Sequence, residues 1–386
     1  MRTENFPITG IIAEFNPLHK GHEFLIANQK IHGACVVVLS SNFTQRGEPS
    51  FIDKFFRAET AVRAGADLVI ELPFIFACSA AQDFSRGAVN LIARTKFINQ
   101  IAFSMENPEF NFESLINIEE NENYKIFLRK ELSQGASFSK AHSTAAEKIL
   151  PGSRDFLSKP NNLLGLSYIS EIKKNNFNLE TKIFKREENF KSKIIRENFQ
   201  KNFFMLPDYS QKILLKAQKA GRISNQEKFW ALLQNIFLRT SGEELKKIHG
   251  IDEGIENLFL KHWKTSENLE DFIGRCVCAR YTRAHIRRRL IYILLNLKRF
   301  EPCAAPYARV LAFNETGRKI LREHAKNSEI KFITRLKDAE GETGKFFSDF
   351  EIKASQLYEL SLDAQDMNRE FKKRPESYDS ERDITE

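Results

Sequence analysis

The stretch "GIIAEFNPLHKGHEFLI", residues 10–26, starts as an apolar run, crosses a polar turn and ends with helical spacing. With the two residues before it, "ITGIIAEF" (8–15) reads as a buried strand, and Gly21 to Lys30 reads as the helix that follows. The turn between them places His19 and His22 three residues apart, with Lys20 and Gly21 inside the interval. A helix start carries unpaired backbone N–H groups and the positive end of the helix dipole, so it suits an anion. Gly21 has no Cβ to hold a ligand away, each imidazole can donate a ring N–H, and Lys20 adds charge. A bare His-x-x-His is equally compatible with two polar residues that open a helix. Zinc pairs on helices usually stand four apart and need a third ligand, and nothing nearby supplies one, so no metal site is expected.

Working outward, "ACVVVLS" (34–40), "DLVIELP" (67–73) and "INQIAFS" (98–104) read as further strands, with helical segments at 51–66 and 79–95 between them. Continuous apolar strands alternating with helices predict an α/β fold, a Rossmann-like parallel sheet covered on both faces. Residues 107–158 read as mainly helical, "KPNNLLGLSYISEIKK" (159–174) as a helix capped by Asn161 or Asn162, and 180–187 as another strand. From about residue 203 to 300 helices dominate, followed by a strand and helix at 308–326 and a short strand at 329–336. The expected division is a catalytic domain at 1–200, a mainly helical, basic region at 201–365, and a charged, disordered tail at 366–386.

The chain has 386 residues, 42% of them hydrophobic and 28% charged, which is ordinary soluble composition in a length that suits two domains. Its longest apolar run, around Leu290 to Leu297, is too short to cross a bilayer, and "MRTENFPITG" lacks a secretory core, so a cytoplasmic protein without a membrane partner is expected. Cys35, Cys78, Cys276, Cys278 and Cys303 are too scattered for a disulfide framework and read as reduced thiols. The net charge of +8 permits an acidic partner, nucleic acid first. Charge concentrates in Arg275 to Arg299, where Arg280, Arg283 and Arg287 share one expected helix face opposite Leu290, Ile293, Leu294 and Leu297. That face suits a phosphate backbone, and Tyr281 either stacks on a base or packs at the helix edge. In "QRGEPSFIDKFFR" (45–57), Gln45, Arg46, Lys54 and Arg57 follow the second strand, and Arg46 and Lys54 are expected to line the cleft and meet phosphate or nucleic acid.

"FNPLHKGH" resembles the His-x-Gly-His signature of nucleotidylyltransferases. The blocks at 42–92, "KPNNLLGLSYI" (159–169) and "YARVLAFNETGRKIL" (307–321) resemble, in order, those of the bacterial tRNA(Met) cytidine acetate ligase family. The resemblance implies a nucleotidylyltransferase-type fold and a two-step reaction. ATP and acetate would give acetyl-adenylate and pyrophosphate, and the acetyl group would pass to N4 of the wobble cytidine of elongator tRNA(Met). Mg²⁺ would arrive with ATP. Carried over residue by residue, the ATP site comprises Ile12, Ala13, Glu14, Phe15, Asn16, Pro17, Leu18, His19, Lys20, Gly21, His22, Glu23, Phe24 and Leu25, then Ser104, Asn161 and Arg186, with His19 and His22 catalytic. Two departures stand out. Ser104 occupies a family glycine position, and "KSKIIRE" keeps Ser192 and Arg196, a further phosphate candidate, but has Ile194 and Ile195 in a Ser/Thr-rich stretch. The rival readings are a small-molecule adenylyl- or cytidylyltransferase and a tRNA- or nucleotide-binding protein without catalysis.

Overall fold

Three apolar strands, β1 (Ile8–Ala13), β2 (Ala34–Ser40) and β3 (Leu68–Leu72), form the centre of the sheet, and nearly every residue in them is buried. Such strands bury both faces, as a parallel sheet between helices requires. The protein, seen in a computed structural model, is described at residues 7–31, 33–136, 138–187, 189–301 and 304–378. Helix α1 (Lys20–Lys30) returns from β1, and α2 (Lys54–Arg63) follows β2, its N-terminus capped by the Asp53 carboxylate, which accepts from the Phe55 and Phe56 amides at 3.0 Å each. A short α3 (Phe74–Ala77) and the longer α4 (Ala81–Thr95) lead from β3 to β4 (Gln100–Met105).

A helical excursion follows, with α5 (Glu113–Ile116), α6 (Glu122–Ser133), α7 (Phe138–Ile149), α8 (Ser153–Ser158) and α9 (Pro160–Lys174), before β5 (Glu180–Lys185) re-enters the sheet beside β4. The next stretch is helical: α10 (Ser192–Glu197), α11 (Asp208–Lys219), α12 (Phe229–Arg239), α13 (Gly242–Leu245), α14 (Ile255–His262), α15 (Leu269–Cys276) and α16 (Arg283–Leu294). Then come β6 (Tyr307–Phe313), α17 (Glu315–His324), β7 (Lys331–Ile333), α18 (Gly341–Glu359), α19 (Arg369–Lys372) and β8 (Glu376–Ser377).

The strand order is β5-β4-β1-β2-β3-β6-β7, with β8 also paired to β6. All pairings are parallel except β3 with β6. The expected α/β architecture is therefore present, with β1 in the interior and its carboxyl end near the middle of the sheet edge. The strands expected at 308–313 and 329–336, within the mainly helical region after residue 200, are β6 and β7, and they extend the same sheet. Antiparallel β6, entering after a long helical insertion, gave no local sign of its partner.

The expectation of a disordered tail from residue 366 is corrected over 366–378. There α19 and β8 are formed, Glu370 is buried, and Arg369 reaches Asp53 at 2.7 Å. Residues 379–386 and Cys303 lie outside the described residues. The other four cysteines are free, with Cys278 exposed and the rest buried. Among the described residues, no helix is long and apolar enough to cross a membrane.

Candidate active site

The chain leaves β1 through a turn held from three sides. Arg57, buried in α2, donates to the Glu14 carbonyl at 2.7 Å and to the Ser40 hydroxyl at 3.1 Å, which joins the ends of β1 and β2. Phe15 lies in the left-handed region at φ 45°, where a side chain with a Cβ is strained, so its neighbours must hold it there. They do: the Phe51 amide donates to Asn16 Oδ1 at 2.6 Å, and Arg196 donates to the Asn16 carbonyl at 2.8 Å. Pro17 and Leu18 are buried beneath, so the turn is a rigid platform for the helix start.

His19 is the N-cap of α1, in extended conformation, and its side chain is buried. Its ring stacks on His22 with centroids 3.7 Å apart and planes 15° apart, and Phe190 lies over it at 5.9 Å. Gly21 permits this stack, since a Cβ there would come within 3.2 Å of the His19 ring and 3.3 Å of Phe190. The His22 Nδ1 accepts from the His19 amide at 3.3 Å, which leaves its proton on Nε2 as a donor. Among the described residues, neither ring nitrogen of His19 has a hydrogen-bond partner, and both are buried. Buried polar atoms without partners are costly, and a ligand phosphate would accept from the nitrogen that carries the proton. Burial, then the Arg186 charge, pushes His19 down to about 3. Burial, then His19 and Arg186, holds His22 well below the ordinary imidazole range. Both rings are thus neutral N–H donors at pH 7.

Arg186, at the end of β5, is half-buried and makes no side-chain hydrogen bond or ion pair among the described residues. Burial lowers its pKa, Glu106 opposes that, and Arg46 adds to it. Arg46 is exposed and similarly uncommitted. Asn161 stands in the first turn of α9, its amide group donating to Glu106 Oε1 at 2.6 Å, while the Asn162 backbone N–H donates to Glu106 Oε2 at 3.0 Å. The helix is therefore capped by Glu106 rather than by Asn161 or Asn162. Ser104 is half-buried on β4, opposite Phe184 in the register. Within 12–25, Ile12 and Glu14 are half-buried, Ala13 and Leu25 buried, and Lys20 and Phe24 exposed, while Glu23 accepts from the Tyr209 hydroxyl at 2.8 Å.

Lys54 does not line the cleft. It is fully buried, with Glu71 at 2.5 Å, Glu351 at 2.9 Å and Glu370 at 3.0 Å around its ammonium. Arg57 is likewise internal. Arg280 precedes α16, whose N-cap is Thr282, so it does not share a helix face with Arg283 and Arg287. Arg283 pairs with Glu270, and Arg287 pairs with Glu48 at 2.7 Å and Glu270 at 2.8 Å. Tyr281 is buried and donates to the Glu253 carbonyl at 2.8 Å, which removes it as a base-stacking surface. Arg196 is engaged by Asn16 and, at 3.6 Å, by Glu48. Sequence reasoning missed Glu106 and Phe190. Glu106 had a signal, an acid at a strand end beside a helix start, whereas Phe190 had none.

The model of the HIGH Nucleotidyl Transferase family matches residues 6–374. A tRNA(Met) cytidine acetate ligase of Caldanaerobacter subterraneus subsp. tengcongensis is 35% identical, covering 93% of this chain and 94% of its own length. One from Clostridium perfringens is 31% identical over 94% of this chain and 98% of the relative. The chain belongs to this ligase family. Among solved structures, Thermotoga maritima TmcAL bound with alpha-thio ATP superposes with a TM-score of 0.88 at 27% identity, covering 97% of this chain and 100% of that one.

Proposed function

We propose that the protein is an ATP-dependent tRNA(Met) cytidine acetate ligase of the cytoplasm. Acetate attacks the α-phosphate of ATP to give acetyl-adenylate and pyrophosphate, and N4 of the wobble cytidine of elongator tRNA(Met) then takes the acetyl group and releases AMP. Acetate alone does not acylate an amine because its leaving group would be oxide, and adenylation replaces that with a phosphate monoester. The observation that carries the reading is the His19 ring, buried at a helix N-terminus, stacked on His22 and with both nitrogens unpartnered among the described residues, in a chain of this family. Neutral N–H donors and the helix dipole stabilise charge building on the phosphates as pyrophosphate leaves.

Arg186, uncommitted at the end of β5, is assigned to the triphosphate, and Asn161 and Ser104 to the adenosine side. Arg46 is assigned to phosphate at the cleft mouth, and exposed Arg280 with half-exposed Arg283 to the tRNA backbone. Among the described residues, no group of three or more His, Cys, Asp or Glu is placed to hold a metal ion. Mg²⁺ is assigned to the nucleotide phosphates on the family resemblance.

The test is a reaction of purified protein with ATP, ¹⁴C-acetate and elongator tRNA(Met) transcript, with an isoleucine tRNA and an ATP-free mixture as controls. ATP-dependent label in the methionine tRNA, lost in His22→Ala, is the expected result. Absence of both label and acetate-dependent pyrophosphate overturns the proposal.

A further inference from the structure

The carboxylates near the carboxyl ends of the strands differ in what already engages them. Glu106 is engaged by the first turn of α9, Glu48 by Arg196 and Arg287, Glu71 by Lys54 and Arg309, and Glu23 by Tyr209. Glu14 is different. Its Oε1 accepts from the Gln45 amide at 2.7 Å, and its Oε2 has no hydrogen bond among the described residues. Its place is also particular, immediately after β1, with β2 and β4 on either side. Arg57 fixes its carbonyl and Asn16 is locked one residue beyond Phe15, so the carboxylate stands on a rigid frame. Arg46 acts electrostatically on Glu14 and on Arg186, and Arg186 acts on both histidines, so these charges lie within electrostatic reach of one another past the ends of β1, β2 and β5.

Acetyl transfer needs a proton acceptor. The lone pair of the cytidine N4 is delocalised into the ring, so the amine is a weak nucleophile that becomes acidic as its bond to carbon forms. His19 and His22 are poor bases, because burial and Arg186 depress both. Burial has the opposite effect on Glu14 and raises its carboxyl, which makes it a stronger base than an exposed carboxylate.

We propose that Glu14 accepts the N4 proton on Oε2 during acetyl transfer. The inference rests on the acetate-ligase reading. In the step, N4 bonds to the acetyl carbon and the bond from that carbon to the phosphate oxygen breaks, its electron pair leaving with AMP. One N4 proton moves to Glu14 and is then released to water. Glu14 is thus a catalytic residue of the second half-reaction.

The two half-reactions can be measured apart on the full-length protein. Adenylate formation is followed as acetate-dependent exchange of labelled pyrophosphate into ATP without tRNA. Transfer is followed in a single turnover from synthetic acetyl-adenylate to elongator tRNA(Met) transcript. In Glu14→Gln, which keeps an oxygen for the Gln45 amide, transfer falls at least about 100-fold more than exchange. Equal losses in both, or loss in neither, overturn the assignment.

The wild-type pH profile is an independent check. Transfer slows tenfold per pH unit on the acid side, and Glu14→Gln lacks that limb. The groups acting on Glu14 are Arg46 and Glu48 after β2, Arg57 on α2, Arg196 on α10, Tyr168 on α9 and Cys78 after α3. The arginines stay charged over this range, and burial keeps Tyr168 and Cys78 protonated, Cys78 pushed up to about 12. Glu48 is the remaining acid, so the limb persists in Glu48→Gln. A wild-type profile without the limb, or its loss in Glu48→Gln, overturns the inference. Failure of the wild-type enzyme in both half-reactions instead overturns the ligase reading.

Discussion

An imidazole that binds phosphate as a cation loses its grip when it deprotonates near pH 6.5, whereas one that binds as a neutral donor does not. In the proposed site His19, pushed to about 3 by burial and then by Arg186, would be of the second kind, and His22 with it. In an NMR titration of the free protein, their ring protons keep constant shifts between pH 5.5 and 8, and ATP affinity over that range lacks a histidine-shaped step. The linkage has a definite sign. A histidine depressed in the folded state supports full stability above the unfolded value of about 6.5, and loses about 1.4 kcal/mol per pH unit as pH falls below it. Urea unfolding at pH 7 and pH 5 therefore differs less in His19→Gln than in the wild type. In the first half-reaction, His22→Ala lowers acetate-dependent pyrophosphate exchange by about 10²- to 10³-fold, the usual cost of one transition-state donor. These two residues were legible because strand, turn, glycine and helix are all local signals. Lys54 was not, because a lysine two residues after "FI" looks solvated, and its three carboxylate partners are distant in sequence or on another strand.

At the scale of elements, β4 and α9 meet through a single carboxylate. Glu106, one residue past β4, receives the Asn161 side chain and the Asn162 backbone N–H. It thus caps the dipole of α9 and sets the position of Asn161. Glu106→Ala removes the cap and lowers stability by about 1–2 kcal/mol in chemical denaturation. The same change releases Asn161 and raises the KM for ATP, while Glu106→Gln, which still accepts hydrogen bonds, recovers part of both. A change in stability with an unaltered KM would remove Asn161 from the nucleotide site. The sequence showed α9 and its proline entry plainly, since a proline followed by polar residues and an apolar periodic run is local. The identity of the cap was hidden because it comes from 55 residues upstream. The same distinction governs α16. Its apolar side, with Leu290 and Ile293 buried, was readable from spacing, but the pairing of Arg283 and Arg287 with acids on other elements was not.

For the whole molecule, the last elements bear on the first. Glu370 from α19 joins Glu71 of β3, Lys54 of α2 and Arg309 of β6 in a buried ionic cluster, and its second oxygen accepts from Ser355 of α18. Beside it, Arg369 pairs with Asp53, the cap of α2, which also pairs with Arg222 at 3.2 Å. Arg309 and Lys54 hold Glu370 down to about 2, while burial, then Glu71, raises Glu351 to about 8. The two cations thus face three buried carboxyl groups, and Glu351 is the one whose proton is held most tightly relative to Glu370. A segment dense in charge and poor in apolar periodicity read as a solvated tail because composition does not register that its charges have buried partners. Breaking a buried pair leaves its partner charged in low dielectric, at a cost of about 3–5 kcal/mol. Glu370→Ala should therefore lower the unfolding free energy in urea by that amount and, through α2 and Arg57, weaken the β1 turn on which the histidines stand. Glu370→Ala/Arg309→Met, which removes a charge of each sign, should recover much of the loss. A Glu370→Ala protein as stable as the wild type would mean that the C-terminal segment merely rests on the fold, and the loss of both stability and exchange activity would mean that it holds the cleft in shape.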